Sequence, residues 1–165
     1  MKTCFTLLVF IFSFSTFSQQ LVLKKPNVDK ITKQLGAETQ QDKIYLYLIN
    51  NYNPTSKMTN KEVYEWAKEH LCAFERTFEH GISYAIEQCQ EASGSRIEIK
   101  FPKMKRKALM QWIEQIDEID NMSGPNKNVW KERNSKFEPK GPEAGCYFSI
   151  TETRKNTIVN LRCGC

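Results

Sequence analysis

The sequence predicts an α+β fold, mainly helical, and three patterns carry that prediction. A capping box at Thr59 opens a long amphipathic stripe, and a second stripe follows Pro102. Near the C-terminus two alternating segments, Cys146–Thr151 and Thr157–Cys163, read as a cysteine-flanked β-hairpin. The expected architecture is a long central helix and a second helix packed on an N-terminal helix, with the hairpin covering one side.

Residues 1–18 read as a cleavable export signal. Lys2 supplies the positive start, and Phe5 to Phe17 is an apolar stretch of about 13 residues, short of the ~20 that a spanning helix needs. Thr16 and Ser18 occupy the −3 and −1 positions of a small-residue cleavage site, which makes Gln19 the new N-terminus. Cys4 lies before the apolar stretch, so a lipid anchor lacks its cysteine. Residues 19–165 are one domain by size. No second apolar run of spanning length follows. The expected location is therefore exported, periplasmic or secreted, and not membrane-spanning after signal removal.

Asn27 is a fair N-cap for a helix to Leu35, stopped at Gly36. Ile44 to Ile49 is an unbroken apolar run that fits a buried strand or a buried helix. The polar lead-in ending at Asp42 and the Asn50-Asn51 exit favour helix. Asn53 to Ser56 is a loop. Thr59 and Glu62 form the capping box, and the helix it opens is expected to reach about Ala92. Val63, Ala67, Leu71, Phe74, Phe78, Gly81, Ile82, Ala85 and Cys89 share its core-facing stripe. On that helix Cys72 projects away from the stripe and lies ~25 Å along the axis from Cys89, so the two cannot bridge.

Arg96 to Phe101 alternates and reads as a short strand, a candidate third strand beside the hairpin. Pro102 suits the first position of a helix running to about Asp120, with Ala108, Leu109, Trp112, Ile116 and Ile119 on its buried side. Charge on this helix runs against its dipole. Lys103, Lys105, Arg106 and Lys107 crowd the N-terminal end, and Glu114, Asp117, Glu118 and Asp120 the other. Dipole complementarity favours the reverse order by ~0.3–1 kcal/mol per charge. Either the basic turn pairs with the acidic side chains of the long helix, or it is a partner-binding face. Residues 121–145 read as a long loop with one helical turn near Trp130, which serves with Phe137 as an anchor. In the hairpin, a turn at Arg154-Lys155 puts Ile150 opposite Val159, Phe148 opposite Leu161 and Cys146 opposite Cys163, all on one face.

Five of the six cysteines follow the signal: Cys72, Cys89, Cys146, Cys163 and Cys165. In an oxidising compartment they are disulfide candidates, with one thiol left over. A bridge from Cys146 to Cys163 or Cys165 is the leading expectation, and a link from Cys163 or Cys165 to Cys72 or Cys89 the alternative. Cys163-Gly164-Cys165 suits a soft metal but lacks further ligands. No metal or cofactor is expected.

The formal charge of +5 is too small to argue for nucleic acid. Hydrolytic residues are scarce: the histidines are His70 and His80, and the nucleophile and phosphate-loop motifs are missing. Glu75 and Glu79 share a face of the expected helix and form the best acid–base pair available. The sequence thus predicts an exported, non-enzymatic binding protein of the inhibitor, immunity or envelope-accessory type. Its partner is another protein, and its contact residues are Lys103, Lys105, Arg106, Lys107 and Trp130. The alternatives are a metal or redox protein using the C-terminal cysteines, and an enzyme with a site on the long helix.

Overall fold

A computed structural model describes residues 21–36, 42–61, 73–88, 94–117, 130–133, 136–139 and 145–164; for 117, 130–133, 136–139, 145–147 and 163–164 it describes the backbone. Two short helices come first. Helix α1 (Val28–Leu35) is capped by Asn27, whose side chain accepts from the amide of Lys30 at 3.0 Å. Helix α2 (Lys43–Asn51) is capped by Asp42, which accepts from the amides of Ile44 at 2.8 Å and Tyr45 at 3.2 Å. Both caps satisfy amides that a helix start leaves without partners. The ambiguous apolar run at 44–49 is therefore helix, and five consecutive residues of it, Ile44 to Leu48, are buried.

The rest is dominated by sheet, which corrects the mainly helical reading. The strands are β1 (Thr59–Asn60), β2 (Ala73–Phe78), β3 (Ile82–Glu87), β4 (Ser95–Pro102), β5 (Trp130–Arg133), β6 (Lys136–Pro139), β7 (Gly145–Glu152) and β8 (Asn156–Gly164), with helix α3 (Arg106–Asp117) between β4 and β5. They form one sheet in the order β1-β2-β3-β4-β8-β7-β6-β5, antiparallel throughout. Two sequential meanders, β1 to β4 and β5 to β8, thus meet along one seam between β4 and β8.

The helix expected over 59–92 is the largest error. Within it Thr59–Asn60, Ala73–Phe78 and Ile82–Glu87 are strands. A spacing of four residues is one helical turn but also two strand repeats, so Phe74 and Phe78 satisfy both periods. Period two is decided by Ile82, Tyr84 and Ile86, all buried, with half-buried Ser83 and Ala85 between them. Between the strands His80 (φ 61) and Gly81 (φ 72) take left-handed backbone. That conformation reverses the chain in three residues, Glu79–Gly81, and no helix contains it. Gly81 is the punctuation of a turn, not a small residue on a helical stripe.

Further corrections follow from the sheet. Pro102 ends β4 opposite Asn156 rather than starting a helix, and α3 begins at Arg106. The stretch 121–145 holds β5 and β6, so Trp130 opens an edge strand opposite Pro139. Arg96 to Phe101 lies at the centre of the sheet, between β3 and β8. The hairpin has the register that its alternation predicts: Ile150 faces Val159, Phe148 faces Leu161, and Cys146 faces Cys163. At its tip Thr153 N–H donates to the Asn156 carbonyl (2.8 Å), and Asn156 N–H donates to the Thr153 hydroxyl (2.9 Å). The threonine side chain stands in for the Asn-Gly chemistry that this turn lacks.

One face of the sheet holds the core. Phe74 and Phe78, Ile82, Tyr84 and Ile86, Ile97, Ile99 and Phe101, Val159, and Phe148 and Ile150 are all buried. They pack with Ile31 of α1, the apolar run of α2, and Leu109, Trp112, Ile113 and Ile116 of α3. The opposite face carries Glu75, Arg96, Glu98, Lys100, Thr151 and Arg162, all exposed.

Candidate basic interface

The seam between the meanders builds the most charged feature of the described residues. Strand β4 runs out at Pro102, directly opposite Asn156 at the start of β8. The chain beyond β4 is then tied to the hairpin tip. Lys103 N–H donates to the Lys155 carbonyl at 2.9 Å, and Met104 N–H approaches the buried Thr157 hydroxyl at 3.4 Å. Met104 is buried as the plug beneath this corner. The corner sets the first turn of α3 beside the tip of the β7–β8 hairpin. Lys103, Lys105, Arg106 and Lys107 thereby join Arg154 and Lys155, and all but half-buried Arg106 are exposed.

Among the described residues, the ion pair formed in this cluster is Arg106 Nη1 to Glu152 Oε1 at 4.0 Å, with the two side chains 37% and 38% exposed. Such a pair contributes about 0–1 kcal/mol. The reading in which the basic turn is neutralised by acids of a long helix loses its helix over 73–87, which is a strand hairpin. Lys103, Lys105, Lys107, Arg154 and Lys155 form no ion pair among the described residues. Six like charges beside the positive end of α3 repel one another and oppose its dipole.

Arg154 and Lys155 were missed as members of this site. The signal was present, because the hairpin register puts them at its tip. Joining them to Lys103–Lys107 also requires the β4–β8 pairing, a contact more than fifty residues apart in sequence that alternation within each strand does not specify.

The remaining candidates fall elsewhere. Trp130 lies on β5, at the opposite edge of the sheet from β1. Glu75 and Glu79 do not share a helix face. Glu75 is on β2 with Lys61 at 3.8 Å, and Glu79 sits in the β2–β3 turn, where its carboxylate accepts from Asn53 Nδ2 at 3.1 Å. His80 is in that turn, its ring 6.2 Å from that of Tyr52. His70, Cys72, Cys89 and Cys165 lie outside the described residues. Cys146 and Cys163 are register partners in the β7–β8 ladder, and their side chains lie outside the described residues. The helical argument against a Cys72–Cys89 bridge no longer holds, since residues 73–78 and 82–87 are paired strands rather than one helix. Among the described residues no group of three His, Cys, Asp or Glu is placed to hold a metal ion. No described helix is long and apolar enough to cross a membrane.

Beneath the sheet lies a polar cluster. The Tyr84 hydroxyl donates to Asp42, and Arg76 Nη1 donates to the Tyr45 hydroxyl at 2.7 Å. The Tyr47 hydroxyl donates to the Lys24 carbonyl at 2.8 Å and lies 3.2 Å from the Tyr52 hydroxyl, which accepts from Lys24 N–H at 3.1 Å. Burial raises the pKa of Asp42, partly offset by the Tyr84 hydroxyl and the amides of Ile44 and Tyr45. Burial, then the Asp42 charge, raises that of Tyr84. Burial, then Tyr52, raises that of Tyr47. Every one of these bonds ties a helix start, a strand or the Leu21–Pro26 segment to the core, so the cluster is architectural.

Comparison with known proteins gives no match, whether to family models, to curated proteins or to solved structures.

Proposed function

We propose that the chain is an exported, non-enzymatic binding protein that holds an acidic partner protein against its basic end. One observation carries the reading: six cations from two separate chain segments are gathered at one corner, largely without counter-charges among the described residues. A surface of this kind raises encounter rates with an oppositely charged partner and rejects like-charged ones. The sequence adds the export signal and the scarcity of catalytic residue types. A Cys146–Cys163 bridge at the far end of β7–β8 belongs to the same reading, since an exported hairpin is exposed to oxidants.

Tagged protein, matured in its native host, is used to capture partners from envelope and culture fluid, beside a Lys103→Glu/Lys107→Glu variant. One stoichiometric acidic protein is expected on the wild type, lost from the variant and released by salt. Equal capture by both chains, or a partner without an acidic surface, sinks the binding reading. The same preparation, mapped as peptides without reduction, should carry the Cys146–Cys163 cross-link; five free thiols would remove the exported half.

A further inference from the structure

The basic corner is not uniformly positive. Glu152 stands inside it, three residues before the hairpin tip at Lys155 and opposite Thr157 in the ladder. It is exposed, and its ion pair among the described residues, to Arg106, is at 4.0 Å. A pair this long and this wet contributes little to folding. Within a surface built from cations, a carboxylate lowers the attraction for any uniformly anionic polymer. It would be a poor residue for binding phosphate or sulfate chains. It is a useful one for a polypeptide, which can present a cation or a hydroxyl between its carboxylates.

The surroundings point the same way. The one large apolar side chain strongly exposed among the described residues is Val22, far in sequence from this corner. Membrane-surface binders combine cations with exposed Trp, Phe or Leu, and among the described residues this corner shows none. Four of its six cations are lysines, which act as point charges without the fixed fork of arginine. A contact of that kind is salt-sensitive and tolerant of backbone geometry, as suits an extended segment.

We infer that the corner recognises an extended acidic polypeptide segment interrupted by one basic residue, and that Glu152 is the residue that selects it. The inference rests on the binding reading above. The partner's carboxylates lie on Lys103, Lys107, Arg154 and Lys155, and its basic residue sits at Glu152, drawing that carboxylate from Arg106. A partner with a negative group at that position meets like charge, and specificity arises from this repulsion as much as from the attractions around it.

The test uses the full mature chain and fluorescent synthetic peptides. One is a run of Glu alone; the others carry a single Lys walked through each position. A sulfated polysaccharide serves as the uniform polyanion. For the wild type, one Lys position is expected to bind about fivefold tighter than the all-Glu peptide, the factor of a single well-placed charge pair. In Glu152→Gln that preference should vanish while the all-Glu peptide and the polysaccharide bind more tightly. Thermal melts confirm that the exposed substitution leaves the fold intact. Equal preference in wild type and variant overturns the inference, as does a wild type that favours the sulfated polymer over every peptide. If no peptide binds but partner capture still depends on Lys103 and Lys107, the segment inference fails and the binding reading stands. If that dependence is also missing, both fail.

Discussion

Asp42 is the residue on which most depends for its size. It caps α2 through two amides and accepts the hydroxyl of Tyr84, which is itself buried. Asp42→Ala removes the cap, worth about 1 kcal/mol, and strands the Tyr84 hydroxyl, at ~1–3 kcal/mol. A loss of about 2–4 kcal/mol is expected from urea denaturation. Asp42→Asn keeps a cap acceptor and separates the charge from the bond. Because burial raises the folded pKa of Asp42, the folded state binds the proton more tightly than the unfolded chain. Its contribution is full below the ordinary carboxylate value, near pH 4, and declines as pH rises through the raised value. Wild type should therefore lose stability relative to Asp42→Asn on going from about pH 4 to 7. A constant difference across that range would refute the assignment. Asp42 was legible in the sequence as the polar lead-in of a helix, since capping is local. Its bond to Tyr84 was not, because Tyr84 was placed in a helix.

Among the elements, α1, α2 and the β7–β8 hairpin were legible in local sequence, and the β2–β3 hairpin, though equally local, was not. Asn27 and Asp42 announce α1 and α2 through their own side chains. The β7–β8 register follows from alternation on both strands, and slipping β8 by one residue would turn Val159 and Leu161 away from the face that holds Ile150 and Phe148. The β2–β3 hairpin failed because Phe74 and Phe78 obey both periods, and because Thr59 and Glu62 made a plausible helix start. Its true marker is the pair His80-Gly81. Gly81→Ala isolates that marker, since an added Cβ meets nothing within 4 Å and the cost is that of left-handed backbone alone. A loss of about 1 kcal/mol of stability is expected, read as a lowered denaturation midpoint. An unchanged or raised midpoint would mean that the turn relaxes to another conformation.

At the scale of the whole molecule, the predicted three-stranded sheet is the centre of a larger one. The missing information was the seam, where eight residues of β4 pair with eight of β8 and Ile97, Ile99 and Phe101 lie beside Leu161, Val159 and Thr157. Helix α3 bridges the two meanders in sequence, and its buried residues belong to the core cluster that both share. The seam also creates the candidate site, since it brings the basic 103–107 segment beside Arg154 and Lys155 at the hairpin tip. This is why the lysines were readable as an anomaly of one helix, while the surface they form was not.

That order of strands makes the molecule divisible. Each half keeps its own hairpins, and among the described residues the hydrogen-bonded ladder between them is confined to β4 and β8. A chain cut after Asp117 yields two fragments, of which the second contributes a strand, β8, to complete the sheet edge of the first. Co-expressed, the pair should reconstitute one folded complex on size-exclusion chromatography, and Val159→Arg on the second fragment should abolish it. Two fragments that never co-elute would show that covalent continuity through 118–129 is required. If they do associate, the protein is a fragment-complementation pair whose junction builds its own binding surface, so that assembly and ligand recognition would switch on together.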